Sequence, residues 1–277
     1  MRKYIIAILI AVAISGCIKE QDVADNYKQR LVVEGRIENG RAAVVVLSLN
    51  IGIQDEYSNE NLSDMIVRWA KVTIVDDEGN EEILTGRLHK DYPTKYIYTG
   101  LDVVGEVGRS YRLVVEYSGR KWEAITTIPR PIMLEDITIE HYQDSLYAIS
   151  AVIPPSPTPC SIDCSLNGSA YYAPTLLGVY NASAEYRHIT INSPLVNLER
   201  HDYVAYFKSK ESVRLRVNAL DDFSYYYWRE WENSVINSVN PVFPSTCNMP
   251  TNISNKGIGI WSGYGTAYYD IGVMPNP

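Results

Sequence analysis

Three cysteines in the body of the chain carry side chains that can form disulfides or hold metal ions. Cys160 and Cys164 are separated by three residues, and Cys247 lies far from both along the chain. In an oxidising compartment, three cysteines form one disulfide and leave one thiol over. A Cys160–Cys164 bridge that closes a small loop is slightly favoured, and a bridge from either residue to Cys247 is the alternative. A zinc site is disfavoured, because no second close pair of cysteines or histidines completes four ligands.

The histidines and the known catalytic motifs give no sign of an enzyme. The chain has 4 histidines, and none lies in a recognisable catalytic frame. Neither Gly-x-Ser-x-Gly nor His-Glu-x-x-His occurs, and no glycine loop ends in Lys-Ser or Lys-Thr. A carboxylate pair for glycoside cleavage is defined by its separation in space, which a sequence does not give. We therefore predict a non-catalytic protein without a cofactor or a metal ion, with a surface hydrolase acting on glycans or peptides as the alternative.

Aromatic side chains near the C-terminus are the candidate binding residues. The chain has 22 tyrosines and only 3 phenylalanines, a balance typical of half-buried sheet faces whose hydroxyl groups reach water. Rings of this kind stack on sugars or fill a partner's pocket, which makes a glycan or a peptide the expected ligand. The alternative for each of them is packing in the core or at its rim. The candidates are Tyr225, Trp228, Trp261 and Tyr264.

The first residues of the chain form a signal peptide. Arg2 and Lys3 precede an apolar run over residues 4–14, which is too short for a stable membrane span. The run ends in Ile14-Ser15-Gly16-Cys17, which resembles the lipobox of bacterial lipoproteins. We predict that residues 1–16 are removed and that Cys17 is lipidated, which anchors the protein stably because several acyl chains are attached. The polar residues 17–29 are expected to form a flexible tether.

The overall charge limits the partners. The formal net charge is −8, and loss of Arg2 and Lys3 with the leader makes the mature chain more acidic still. Nucleic acids and anionic lipid surfaces need clustered lysine and arginine, so they are disfavoured. The expected membrane contact is therefore the N-terminal lipid alone.

The remaining pattern predicts an all-β protein in two parts. Short alternating runs with tight turns, such as the hairpin of residues 31–37 and 42–49, predict an immunoglobulin-like β-sandwich over residues 30–130. Pro129-Arg130-Pro131 then interrupts the sheet, since proline cannot donate to a strand ladder. Residues 131–277 are predicted to form a second β-rich domain.

Two local features stand out in this second part. Asp221 or Asp222 caps a predicted helix near residues 221–239, in which apolar residues recur at helical spacing. Ala170-Tyr171-Tyr172 is expected to lie in a short strand.

Several short segments, taken in their order, resemble the family of Bacteroidota lipoproteins with the domain of unknown function 4249. They are residues 31–35, 108–117, 124–129, 240–244 and 251–264. Their specificity comes from their order and from the lipobox that precedes them. The resemblance implies a lipoprotein of the outer membrane or the cell surface, of a kind that often accompanies a TonB-dependent transporter. On this basis we expect an accessory or ligand-binding partner of such a transporter, and a purely structural envelope protein is a further alternative.

Overall fold

The computed structural model describes residues 29–50, 64–194, 206–238 and 249–275. The signal peptide, Cys17, the tether up to residue 28 and Cys247 lie outside these ranges, so the interpretations that concern them stay predictions. Within the described ranges the fold is all-β and sandwich-like with one long helix, which confirms the predicted fold class.

The described strands and the helix are numbered here in chain order. They are β1 (Leu31–Glu38), β2 (Ala42–Leu49), β3 (Lys71–Asp76), β4 (Glu81–Ile83), β5 (Thr85–Leu88), β6 (Tyr96–Val104), β7 (Ser110–Tyr117), β8 (Arg120–Thr127), β9 (Glu135–Gln143), β10 (Leu146–Ile153), β11 (Cys160–Leu166), β12 (Ala173–Tyr180), β13 (Arg187–Ile191), β14 (Phe207–Lys208), β15 (Ser212–Ala219), helix α1 (Asp222–Ser238) and β16 (Ile258–Val273).

One eight-stranded sheet, which we call the large sheet, runs through the whole molecule. Its strand order is β12-β11-β15-β16-β1-β2-β6-β5. The chain leaves the first half after Thr127 and returns to it through β16. The first part of β16, from Ile258 to Tyr264, pairs with β1 in parallel, and the part from Gly265 to Val273 pairs with β15 antiparallel. Thus β16 belongs to both halves of the molecule.

Two smaller sheets cover one face of the large sheet. The sheet β4-β3-β7-β8 covers the first half, and the sheet β13-β10-β14, with β9 paired to β10, covers the second. Each interface encloses a hydrophobic core, because alternate residues of every strand point to the same side. Val33 and Ile37 of β1 lie in the first core, and Leu215 and Val217 of β15 lie in the second.

Most local predictions agree with the structure. The first hairpin is confirmed by β1 and β2, and the predicted helix is confirmed by α1. Asp221 caps this helix, since its Oδ1 atom accepts a hydrogen bond from the Ser224 backbone amide at 2.7 Å. The predicted strand at Ala170–Tyr172 is wrong, because these residues lie between the turn that ends β11 and the start of β12 at Ala173.

The expected Cys160–Cys164 disulfide is also wrong. Both residues are free and buried, and they lie on the same strand, β11. The four steps of extended strand from Cys160 to Cys164 separate their Cα atoms by about 13 Å, and a disulfide bridges at most roughly 7 Å. Both thiols instead pack in the second core between the large sheet and its cover.

Candidate functional site: the polar face of the large sheet

The uncovered side of the large sheet carries charged and polar side chains. Strands β1, β11, β15 and β16 place apolar residues in the cores and polar residues on the opposite side, as strand alternation requires. We call this side the polar face. Its members used below are Glu34, Arg36, Glu38, Asp163, Arg216, Asn218, Tyr264 and Tyr268.

Arg216 is the centre of a buried ion network on the polar face. Its Nε and Nη2 atoms donate to Asp163 Oδ2 at 3.0 and 2.5 Å, and Nη1 donates to Glu38 Oε1 at 3.0 Å. Arg36 Nε lies 2.9 Å from the same Glu38 oxygen. Arg216, Glu38 and Asp163 are at most 6% exposed. Because Glu38 lies on β1 and Asp163 on β11, the network joins the two halves of the molecule.

Neutral donors complete this network. The Tyr268 hydroxyl donates to Glu38 Oε2, and Asn218 Nδ2 donates to Asp163 Oδ2 at 2.8 Å. Burial alone would raise the pKa of Glu38, but the guanidinium groups of Arg216 and Arg36 outweigh burial and hold this pKa below its usual range. The Glu38 carboxylate is therefore favoured in its ionised form.

A cavity opens above the network. It is narrow, with a volume of about 30 Å³, which is room for about two water molecules. Its walls come from β1, β2, the turn before β6, the segment before β12, and helix α1. Five aromatic side chains line it, and they are Tyr92, Tyr171, Tyr172, Trp228 and Tyr264.

Hydrogen bonds hold two walls of the cavity in place. Asp91 Oδ2 accepts a hydrogen bond from the Ala170 backbone amide at 2.8 Å, which ties the wall from the first half to the wall from the second. Arg214 on β15 donates to the Ser169 carbonyl, and the Tyr171 amide donates to Ser169 Oγ at 3.1 Å. Tyr171 and Tyr172 are thus positioned by backbone contacts rather than by packing alone.

Glu34 presents a carboxylate to the cavity. Its side chain makes no ion pair or hydrogen bond to another described residue, and it is exposed to solvent at the cavity wall. Burial raises the pKa of Glu34, and the opposing effect of Arg36 and Arg216 does not cancel this. Such a carboxylate is available to accept hydrogen bonds from the hydroxyl or amino groups of a ligand.

The structure brings three of the four predicted aromatic residues together. Trp228 Nε1 donates to the Tyr264 hydroxyl at 2.8 Å, and both side chains line the cavity. Tyr225 packs against the same buried cluster as Tyr264.

Trp261 does not reach the cavity. It is 0% exposed in the first core, and its Nε1 atom donates to the Tyr111 carbonyl at 2.9 Å. Its strand partner is Gly35, where a Cβ atom would lie 2.8 Å from the indole ring. Trp261 and Tyr264 lie three positions apart on one strand, so they face opposite sides of the sheet.

Sequence reasoning missed the charged residues and three of the tyrosines. A signal for the charged residues was present, because Glu34, Arg36 and Glu38 alternate with apolar residues in β1. Tyr171 and Tyr172 were assigned to a strand, and Tyr92 lies in a turn that the sequence did not single out.

The described ranges contain neither a metal-binding cluster nor a membrane-spanning helix. No group of three histidine, cysteine, aspartate or glutamate side chains is close enough there to hold a metal ion. In the same ranges, none of the helices combines the length and the apolar character that crossing a membrane requires.

The fold and the polar face define an all-β, sandwich-like protein with an aromatic-lined cavity on one side of its large sheet. The chain belongs to the family described as "Domain of unknown function (DUF4249)", whose profile matches residues 18–269. This confirms the family that the sequence segments indicated. No curated protein matches the chain significantly.

Solved structures also include chains that are similar to this one. A DUF4785 family protein from Legionella pneumophila is 11% identical, and the match covers 68% of this chain and 51% of that chain, with a TM-score of 0.22. The chain thus spans about half the length of that structure.

Proposed function

We propose that this protein is an exported, lipid-anchored and non-catalytic binding protein, which holds a ligand on its polar face and works beside a TonB-dependent transporter of the outer membrane. The observation that carries the proposal is the cavity of the polar face. Five aromatic rings line it, and the Glu34 carboxylate faces it without an ion pair or a hydrogen bond to the described part of the chain. Concave sites with aromatic walls and a few polar groups are typical of small-molecule binding.

The state of the nearby reactive groups favours binding over catalysis. A general acid or base must exchange a proton during the reaction, whereas Glu38 and Asp163 are both held by Arg216. Cys160 and Cys164 face the second core, and burial raises the pKa of the Cys160 thiol to about 12. Since the thiolate is the reactive form, neither cysteine is an activated nucleophile.

The proposed anchor gives the folded part a limited reach. Strand β1 begins at Leu31, shortly after the expected tether of residues 17–29. A tether of this length spans at most roughly 45 Å when it is extended. The folded part would therefore stay close to the membrane surface, where a transporter is accessible.

Isolation of the lipidated protein from native membranes tests the anchor and the partner. Mass spectrometry of the N-terminal peptide is expected to show acylated Cys17, and a TonB-dependent transporter is expected to co-purify. A Cys17→Ser variant should lose both the lipid and the transporter. An unacylated N-terminus, or a retained leader, would contradict the proposed anchor.

A binding screen against glycan and peptide libraries tests the cavity. Wild-type protein should bind at least one ligand without turning it over, and a Tyr171→Ala/Trp228→Ala variant should lose that binding. The matched control is Tyr186→Ala/Trp69→Ala, because these side chains are 61% and 90% exposed and do not line the cavity. Turnover of any ligand would favour the hydrolase alternative. Equal loss of binding in the control would show that the cavity is not the binding site.

A further inference from the structure

A second cleft lies beside the cavity on the polar face. Its volume is about 310 Å³, roughly ten times that of the first cavity. Strands β2, β5 and β6 and the turn at His89 form its far wall. Arg36, Tyr92 and Tyr172 line both this cleft and the first cavity, so the two spaces adjoin.

The ionisable groups of this cleft are mainly basic. Arg36, Arg41, Arg87 and His89 line it, and Glu38 is the one acidic residue among the described residues that line it. Glu38 already accepts hydrogen bonds from Arg216 and Tyr268 and pairs with Arg36. The carboxylate that lines the cleft is thus already engaged.

Two arginines of the cleft, Arg41 and Arg87, lie outside these contacts of Glu38. Neither guanidinium group makes an ion pair with a carboxylate of the described chain, and both residues are exposed. This arrangement contrasts with the formal net charge of −8 for the whole chain. The local charge of the cleft is thus opposite in sign to the charge of the whole chain. In physiological salt it attracts anions within about a Debye length, or roughly 8 Å.

Stacking orients one of these arginines. The Arg41 guanidinium lies 4.3 Å from the centre of the Tyr268 ring, and the Tyr172 ring packs edge-on against Tyr268 at 5.5 Å. A guanidinium group that stacks on a ring keeps its N–H donors free at the edge. Arg41 is therefore held in a position from which it can bind two oxygens of a carboxylate or a phosphate.

We propose that this cleft binds the anionic group of a small ligand, a carboxylate or a phosphate, through Arg41 and Arg87. The proposal rests on the proposed function in one respect, namely that the ligand occupies the polar face. The uncharged part of the same ligand then lies over the mouth of the adjoining cavity, with its rings against the tyrosines and its hydroxyl groups near Glu34. The ligand class is an acidic, hydroxyl-rich small molecule.

Calorimetric titration of the lipidated protein in detergent tests the proposal. The probes are glucuronate, glucose 6-phosphate, inorganic phosphate and, as the neutral reference, glucose. At least one acidic probe should bind more tightly than glucose, and added salt should weaken its binding. The two acidic sugars separate a carboxylate ligand from a phosphate ligand, and inorganic phosphate shows whether the anion alone suffices.

Arginine variants identify the groups responsible. Arg41→Gln/Arg87→Gln should weaken binding of the acidic probe by about tenfold or more, since charge-assisted hydrogen bonds are lost. Arg120→Gln is the matched control, because Arg120 is exposed and lies 4.9 Å over the Trp122 ring on β8, away from the polar face. This control should bind like wild type, and thermal melting should show all variants to be folded.

Three outcomes would overturn the inference. They are failure of every acidic probe to bind wild-type protein at millimolar concentration, undiminished binding by the double variant, and equal weakening in the Arg120→Gln control. None of these outcomes bears on the acylation of Cys17 or on co-purification with a transporter. Conversely, if no transporter co-purified, binding of an acidic probe in the titration would still support the inference.

Discussion

On β1, Leu31, Val33 and Ile37 point into the first core, while Glu34, Arg36 and Glu38 point to the other side of the same sheet. The core side is closed by two smaller sheets, and the polar side is covered only in part by α1 and two loops. The two sides of the large sheet therefore have different expected roles. We expect substitutions on the core side to change the free energy of unfolding, and substitutions near the cavities to change recognition.

Arg216 and its partners do not follow this division. They lie on the polar face, yet they are buried and join strands from both halves of the molecule. Their expected role is to fix the position of β1 relative to β11 beneath the cavity. The variants below test where the division between the two faces holds, in order of decreasing expected effect.

The largest effect is expected for Trp261→Ala on the core side. The indole is fully buried, so the variant leaves a cavity and should lower the free energy of unfolding by about 4 kcal/mol. Urea denaturation followed by circular dichroism measures this change. Trp69→Ala is the matched control, because Trp69 is 90% exposed and its removal should change stability by less than about 0.5 kcal/mol. Similar losses in both variants would contradict the assignment of Trp261 to the core.

Arg216→Gln should lower the free energy of unfolding at neutral pH by about 3 kcal/mol, because it leaves the buried Glu38 and Asp163 carboxylates without their guanidinium partner. The double substitution Asp163→Asn in this background should recover part of the loss. A change no larger than that of an exposed arginine, such as Arg112→Gln, would show that the network contributes little.

The same variant has a predicted pH dependence. The folded-state pKa of Glu38 is lowered, so its contribution to stability is present above the pKa of the unfolded chain and is lost as pH falls through the folded value. The difference in stability between wild type and Arg216→Gln should therefore narrow below about pH 4. Urea denaturation at several pH values measures it, and a difference that stays constant would contradict the linkage.

Glu34→Gln should raise the free energy of unfolding slightly, whereas Arg216→Gln should lower it. Burial raises the pKa of Glu34, so its ionised form is disfavoured in the folded state and protonation favours folding. Solvent reaches the side chain, which limits the gain in stability at neutral pH to less than about 1 kcal/mol. The gain should disappear as pH falls below the unfolded value. Glu135→Gln, an exposed position on β9, serves as the control, and a destabilised Glu34→Gln protein would contradict the prediction.

The smallest effect is expected for the two cysteines of the core side. Burial raises the pKa of both thiols, so iodoacetamide should leave Cys160 and Cys164 unmodified in the native protein. In urea without a reductant both should be alkylated, as peptide mapping by mass spectrometry would show. If alkylation in urea required prior reduction, the cysteines would be paired after all.

The sequence by itself determined the local structure of this protein. The first hairpin and helix α1 with its Asp221 cap follow from turn residues, alternation and capping, which involve neighbours along the chain. The charged residues of β1 were also visible as an alternating pattern. That pattern predicts a polar face, but it does not say which residues meet there.

Tertiary structure decided the rest. Arg216 meets Glu38 across 178 residues of sequence, and β16 pairs with strands from both halves. Cys160 and Cys164 are close in sequence but apart along one strand, and Trp261 and Tyr264 differ because they face opposite sides. Strand pairing depends on contacts between segments that are distant in the sequence, and its free energy is a sum over many such contacts. Turns and caps depend on a few adjacent residues.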